Sequence, residues 1–212
     1  MENVITRVEQ QKNNPQRVNI FINDEFAFPL SRVNAAWLKP GQTLSEQKIK
    51  DLIDADNKEK ALSLALRFLS FKPRTRYEVE QKLIKSGVLK TDILYVIDRL
   101  METELINDMR FAQDWVEIRS QSKPRSRRIV KMELKAKRIP EDVIEDVLQT
   151  IQPDVQSAEK AAVTYSKRLS GVQFDVFRKR MNGFLLRRGF SWDVISQVTQ
   201  DVWKKVNQTR RD

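Results

Sequence analysis

Arg127, Lys131, Lys135 and Arg138 step by 4, 4 and 3 residues, which sets four cations along one face of a helix. They belong to a denser run. Between Arg119 and Arg138 stand Arg119, Lys123, Arg125, Arg127, Arg128, Lys131, Lys135, Lys137 and Arg138, against one acid, Glu133. Cations in such a pattern do electrostatic chemistry: they hold the phosphates or carboxylates of a partner. The formal net charge of +10 points the same way, towards nucleic acid, an acidic protein surface or an anionic membrane. The competing reading is internal, with Glu141, Glu145 and Asp146 one helix away to neutralise the stripe.

Bond-making chemistry has little to draw on. The chain has no histidine and no cysteine, which removes the commonest general base, thiolate nucleophiles and the commonest transition-metal ligands. It has neither a phosphate-cradling G-x-x-x-x-G-K-[ST] loop nor a G-x-G-x-x-G turn. Asp51, Asp54 and Asp56 lack the glycine and distal glutamate of a calcium loop, and read as a solvated helix cap. Glu141, Asp142, Glu145 and Asp146 read as the wet face of a helix rather than a metal site. The expectation is a protein without catalytic residues, cofactor or metal. No apolar run approaches the ~20 residues of a membrane helix, and the first residues lack the apolar core of a signal peptide. A cytoplasmic, soluble, monomeric chain is expected.

The elements that must position the cations repeat. Lys72-Pro73-Arg74-Thr75-Arg76 recurs as Lys123-Pro124-Arg125-Ser126-Arg127, a shift of 51 residues (72 to 123). The same shift carries Val79 to Val130 to Met181, Leu83 to Leu134 to Leu185, and Gly87 to Arg138 to Gly189. A fixed period of this length signals stacked supersecondary units, each with room for three helices. Asp56 with Glu59 and Thr75 with Glu78 both look like capping boxes, and Gly87 suits a left-handed helix end. Asp92 starts a third helix with Ile93, Ile97 and Leu100 inward; Ser126, Pro140 and Ser191 mark later helix starts. Arg138 stands where the repeat has glycine, so its loop is expected to be built differently. The repeats are placed at residues 58–108, 109–157 and 158–212.

Residues 1–57 read as a small antiparallel β extension. Val4–Glu9 alternates weakly, Arg17–Ile22 is rich in β-forming residues and Glu25–Phe28 alternates again, with a hairpin turn at Asn23-Asp24. Pro29 and Pro40-Gly41 close the sheet, and Ser45 caps a short helix through Ile53. Its aromatic face (Phe21, Phe26 or Phe28, Trp37) is expected to lean on a neighbour. The fold class is therefore mainly α, a tandem array of three three-helix repeats behind a small antiparallel β subdomain.

Cations recur at equivalent places in the repeats: Lys72, Arg74 and Arg76 in the first, Lys123, Arg125, Arg127, Arg128, Lys131, Lys135 and Arg138 in the second. The third has Arg178, Arg180, Arg187 and Arg188 but lacks the Lys-Pro-Arg loop, so a stripe fades there. The segment from Ala61 to Val88, the junction Leu105-Ile106-Asn107-Asp108-Met109-Arg110-Phe111-Ala112, and the tail Gly183–Ile195 together resemble the RecX regulatory proteins. The resemblance covers about residues 58–205 and leaves the β extension without a role. It implies a modulator that binds the RecA filament on single-stranded DNA, suppressing ATP hydrolysis, strand exchange and coprotease action by RecA. It also implies that DNA is met directly or through RecA. The rival is an autonomous, sequence-nonspecific nucleic-acid-binding helical module.

Overall fold

A computed structural model describes residues 2–208; Met1 and residues 209–212, at the ends of the outermost expected units, lie outside the described residues. Strands β1 (Asn3–Gln11), β2 (Asn14–Ile22), β3 (Glu25–Ser31) and β4 (Thr43–Leu44) form an antiparallel sheet in the order β3-β2-β1-β4. The β2–β3 turn has φ 51° at Asn23 and 68° at Asp24, the left-handed pair that matches strand twist in a two-residue hairpin. Pro29 does not close the sheet. It lies within β3 opposite Asn19, tolerated because β3 is an edge strand.

The expected aromatic face is corrected too. Only Phe28 enters the core; Phe26 and Trp37 are exposed, and Phe21 is half-buried edge-on to Phe26. The register shifts between Ile20/Phe28 and Phe21/Phe26, so Ala27 is an extra residue in β3 and Phe26 loses the parity that would turn it inward. Ile5, Val18, Ile20, Phe28 and Leu30 make the inner face, covered by Ile49, Leu52 and Ile53 of the next helix.

That helix, α1 (Glu46–Leu69), is a single element of 24 residues, capped by Ser45 through its Oγ to the Lys48 amide. The expected stop at Ile53 and restart at Asp56 do not exist. No glycine or proline interrupts residues 46–69, so nothing ends the helix, and it runs through residue 57. Asp56 is no solvated cap, being 1% exposed. It accepts from Arg17 (3.0 Å), Lys60 (2.8 Å) and the Ser31 backbone amide (2.6 Å), while Glu59 accepts from the Ser31 hydroxyl and the Asn34 side-chain Nδ2. The Asp-x-x-Glu spacing is that of a clasp holding helix to sheet. Asp51 and Asp54 are exposed.

Eight further helices follow among the described residues: α2 (Arg76–Lys85), α3 (Lys90–Glu102), α4 (Asp108–Ser122), α5 (Arg127–Ala136), α6 (Glu141–Gln149), α7 (Asp154–Ser166), α8 (Phe174–Leu186) and α9 (Trp192–Gln208). With α1 they make three groups of three, as the period predicted. The chain divides into two compact units: residues 1–73 with 79–105, and residues 74–78 with 106–212. In the first unit Val79, Leu83, Ile93, Ile97 and Leu100 are buried as their spacing requires; α3 begins at Lys90, with Asp92 in its first turn. In the second, Ala112, Val116, Val130, Leu134, Ile144 and Val147 form one core and Ala161, Ala162, Phe177, Met181, Leu185, Ile195 and Val198 another.

The caps at the starts of α2 and α5 make contacts that reach other elements of the second unit. Thr75 and Glu78 form a reciprocal box: the Glu78 amide donates to Thr75 Oγ1 (3.2 Å) and the Thr75 amide to Glu78 Oε2 (3.3 Å). Thr75 Oγ1 also donates to the Lys137 carbonyl at the end of α5 (3.2 Å), and the Arg76 amide donates to Asp108 Oδ1 at the start of α4 (2.9 Å). The pattern recurs one period on. Ser126 Oγ accepts from the Ile129 amide, the Ser126 amide donates to the Arg188 carbonyl after α8 (3.1 Å), and the Arg127 amide donates to Asp154 Oδ1 at the start of α7 (2.9 Å). All these residues lie in the second unit.

The loops after the middle helices are built alike, contrary to expectation at Arg138. Gly87, Arg138 and Gly189 have φ of 75°, 58° and 85°, and the next amide returns to Leu83, Leu134 and Leu185 respectively. This is the Schellman ending, which Arg138 adopts in spite of its side chain. Gly189 needs to be glycine for a second reason, since a Cβ there would meet Ile129 Cγ1 at 2.1 Å and Ser126 Oγ at 2.7 Å, whereas one at Gly87 would meet nothing within 4 Å.

Three outcomes are expected. Ser126→Ala loses one capping bond, about 1 kcal/mol, and Thr75→Ala loses about twice that because its hydroxyl serves two partners; urea midpoints order the variants. Gly189→Ala lowers the midpoint further than Gly87→Ala, which meets backbone strain alone. At Asp56, burial alone would raise the carboxyl pKa, but hydrogen bonds from Lys60, Arg17 and the Ser31 amide outweigh it and hold the group below its ordinary value. The unfolded chain then binds the extra proton first, so this stabilisation is complete above about pH 4 and is lost as acid titrates the folded carboxylate. Asp56→Asn is expected to cost about 3 kcal/mol at neutral pH and to flatten that acid limb of stability, measured by denaturation across pH.

Candidate interface for an anionic partner

The cations singled out by spacing fall into three environments. Lys131 and Lys135 are neutralised: Lys131 binds both Glu141 and Glu145, and Lys135 lies 3.0 Å from Glu141. These pairs bridge α5 to α6, and they hold Glu141 below and Lys131 above their ordinary pKa values. They also occupy two members of the acidic cluster. Arg127 turns back on its own unit and donates to the Ile151 carbonyl. The four-residue stripe is thus partly an intramolecular seam.

A second group is tied through aromatic rings or shared acids. Arg125 Nη1 (3.0 Å) and Arg119 Nε (2.8 Å) both reach Glu133, whose Oε2 also accepts from the Trp115 indole. Arg138 lies over Tyr77, and Arg178 pairs with Asp175 and lies over Phe174. Arg74 and Arg76 border the Thr75 cap, with Arg74 near enough to Glu78 to lower its pKa. The third group faces water: Lys72, Lys123, Arg128, Arg180 and Arg187 are exposed, and none of them forms an ion pair among the described residues.

Arg188 stands apart. Its guanidinium lies 3.8 Å over the Phe184 ring, which stacks at 3.9 Å on Tyr165. Its Nε is buried and unpartnered. Burial, then the charges of Arg125 and Arg187, push its pKa below the ordinary arginine value. Spacing placed Arg188 among the basic residues but could not reveal the full stack, nor the Trp115–Glu133–Arg119 network, because Tyr165 and Glu133 come from neighbouring helices. No helix of the described residues is long and apolar enough to cross a membrane.

Comparison with known proteins covers the whole architecture. Residues 3–45 match the family model described as the regulatory protein RecX N-terminal domain. Residues 61–100, 107–148 and 152–199 match the first, second and third three-helix domains of RecX. The β extension, left outside the resemblance by sequence reasoning, is therefore a family domain as well. Regulatory protein RecX of Bacillus pumilus is 30% identical over 203 residues, covering 94% of this chain and 77% of the relative. Regulatory protein RecX of Clostridium tetani is 31% identical over 202 residues, covering 92% and 93%. A crystal structure of regulatory protein RecX superposes with a TM-score of 0.67 at 25% identity, over 94% of this chain and 100% of that one. With its sheet and all three helical groups matched in order, the chain belongs to the RecX family of regulatory proteins.

Proposed function

We propose that this chain is a negative regulator of the RecA recombinase. It acts in the cytoplasm, as a monomer and without catalysis of its own, by binding the filament that RecA forms on single-stranded DNA. The observation that carries this reading is the match of all four parts of the chain, in order, to the domains of regulatory proteins RecX. The charge distribution supports an anionic partner, since Lys72, Lys123, Arg128, Arg180 and Arg187 present positive charge to solvent. Arg74, Arg76, Arg125, Arg127, Lys131, Lys135, Arg138, Arg178 and Arg188 complete the proposed surface, with Lys131 and Lys135 contributing least because carboxylates already hold them. Regulation requires that the chain bind one filament state better than another, so the filament's ATP hydrolysis reports it.

Added to cognate RecA on single-stranded DNA, the purified chain is expected to lower ATP hydrolysis, strand exchange and coprotease action while hydrolysing nothing alone. Unchanged RecA activity at saturating chain removes the reading. Tight DNA binding at physiological salt with no effect on RecA establishes the autonomous nucleic-acid module instead. Arg128→Glu with Arg180→Glu is expected to weaken filament binding while leaving the unfolding midpoint in place, because exposed charges contribute little to stability.

A further inference from the structure

The repeat supplies its own control for the charge at the two junctions between middle helices. At the first, Lys137 follows α5, and its ammonium is paired with Glu78 in the first turn of α2. Shifting both positions by 51 residues gives the second junction, where Lys137 becomes Arg188 and Glu78 becomes Ile129. The cation is kept and its carboxylate is gone. Position 136, an alanine at the first junction, becomes Arg187, a further cation. Arg125 stands near enough to act on Arg188 electrostatically, and its single acid, Glu133, is already shared with Arg119 and Trp115. The junction therefore gathers Arg125, Arg187 and Arg188 around a buried Nε with no hydrogen-bond partner. Like charges held together repel, and a bound oxyanion relieves that repulsion.

We propose that this junction is a binding site for a phosphate group. The ring of Phe184, backed by Tyr165, lies under the Arg188 guanidinium, and the Ser126 amide donates to the Arg188 carbonyl. A planar, pre-positioned guanidinium suits the tetrahedral oxygens of phosphate better than a mobile ammonium does. Arg187 lies on the exposed side of the cluster, and Arg128 and Lys123 are exposed on the chain flanking Arg125. That setting suits the phosphodiester of a single strand as well as free phosphate. The site deepens the filament reading and rests on it for its biological role, but its test uses no recombinase, so either idea can fail without the other.

The full chain is titrated in two arms: thermal melting in sodium phosphate against sodium chloride at matched ionic strength, and anisotropy of a labelled oligothymidylate over a range of salt. Phosphate is expected to raise the wild-type melting temperature beyond chloride, and the oligonucleotide to bind with a salt slope that includes this contact. Arg188→Met and Ile129→Glu should each abolish the phosphate increment, lower oligonucleotide affinity about tenfold and reduce the slope by about 0.7. Ile129→Glu is the decisive variant, because it installs the carboxylate that the first junction already carries and so keeps the fold should Arg188→Met lose it. A phosphate increment without oligonucleotide dependence assigns the site to free phosphate; dependence in the oligonucleotide arm assigns it to nucleic acid. If the folded Ile129→Glu variant titrates like the wild type in both arms, the proposal is overturned.

Discussion

The helical array in the second unit hangs on one contact made twice: the start of a middle helix against the end of the next. Helix starts leave amides without partners and helix ends leave carbonyls, and the two ends carry opposite partial charges. Thr75 Oγ1 to the Lys137 carbonyl, and the Ser126 amide to the Arg188 carbonyl, bring these needs together. Asp108 and Asp154 complete the arrangement by taking the first helical amides at Arg76 and Arg127. Each contact is polar and directional, so within the second unit it fixes residues 74–78 against the end of α5, and the start of α5 against the end of α8. The period of 51 residues is the spacing at which this geometry recurs.

Much of this architecture was legible because local rules and global fold agree. The Thr75–Glu78 box, the left-handed Gly87 and the spacing of Leu83, Leu134 and Leu185 name their roles without tertiary knowledge. The failures are equally specific. Asp56 and Glu59 copy the spacing of a capping box, yet they sit in mid-helix and are satisfied by Arg17, Ser31 and Asn34, residues far away in sequence. Phe26 misleads because the extra residue Ala27 shifts its parity, and a bulge has no signature in a single alternating run. Arg138 misleads in the other direction, since a non-glycine residue adopts a conformation that a glycine rule would have denied it.

The basic surface shows where periodicity stops being informative. Helical spacing groups Arg127, Lys131 and Lys135, but it does not say how they pair: Glu141 and Glu145 of α6 hold the two lysines at the surface, and Arg127 turns back on the Ile151 carbonyl. The change from Glu78 to Ile129 was visible in the sequence all along. Its meaning needed the contact between Lys137 and Glu78 to be seen first.

The third group differs from the others in a way that bears on growth. Positions 75 and 126 carry the cap hydroxyls, and the equivalent position, 177, is a phenylalanine sealed in the core. Helix α8 starts earlier, after Gln173, whose side chain makes no capping bond. The acceptor surface that the first two middle helices offer to a successor is thus missing from the last. Repeat arrays with sticky ends can polymerise head to tail. Replacing a hydroxyl by a buried ring leaves the start of α8 without the docking chemistry that the starts of α2 and α5 carry.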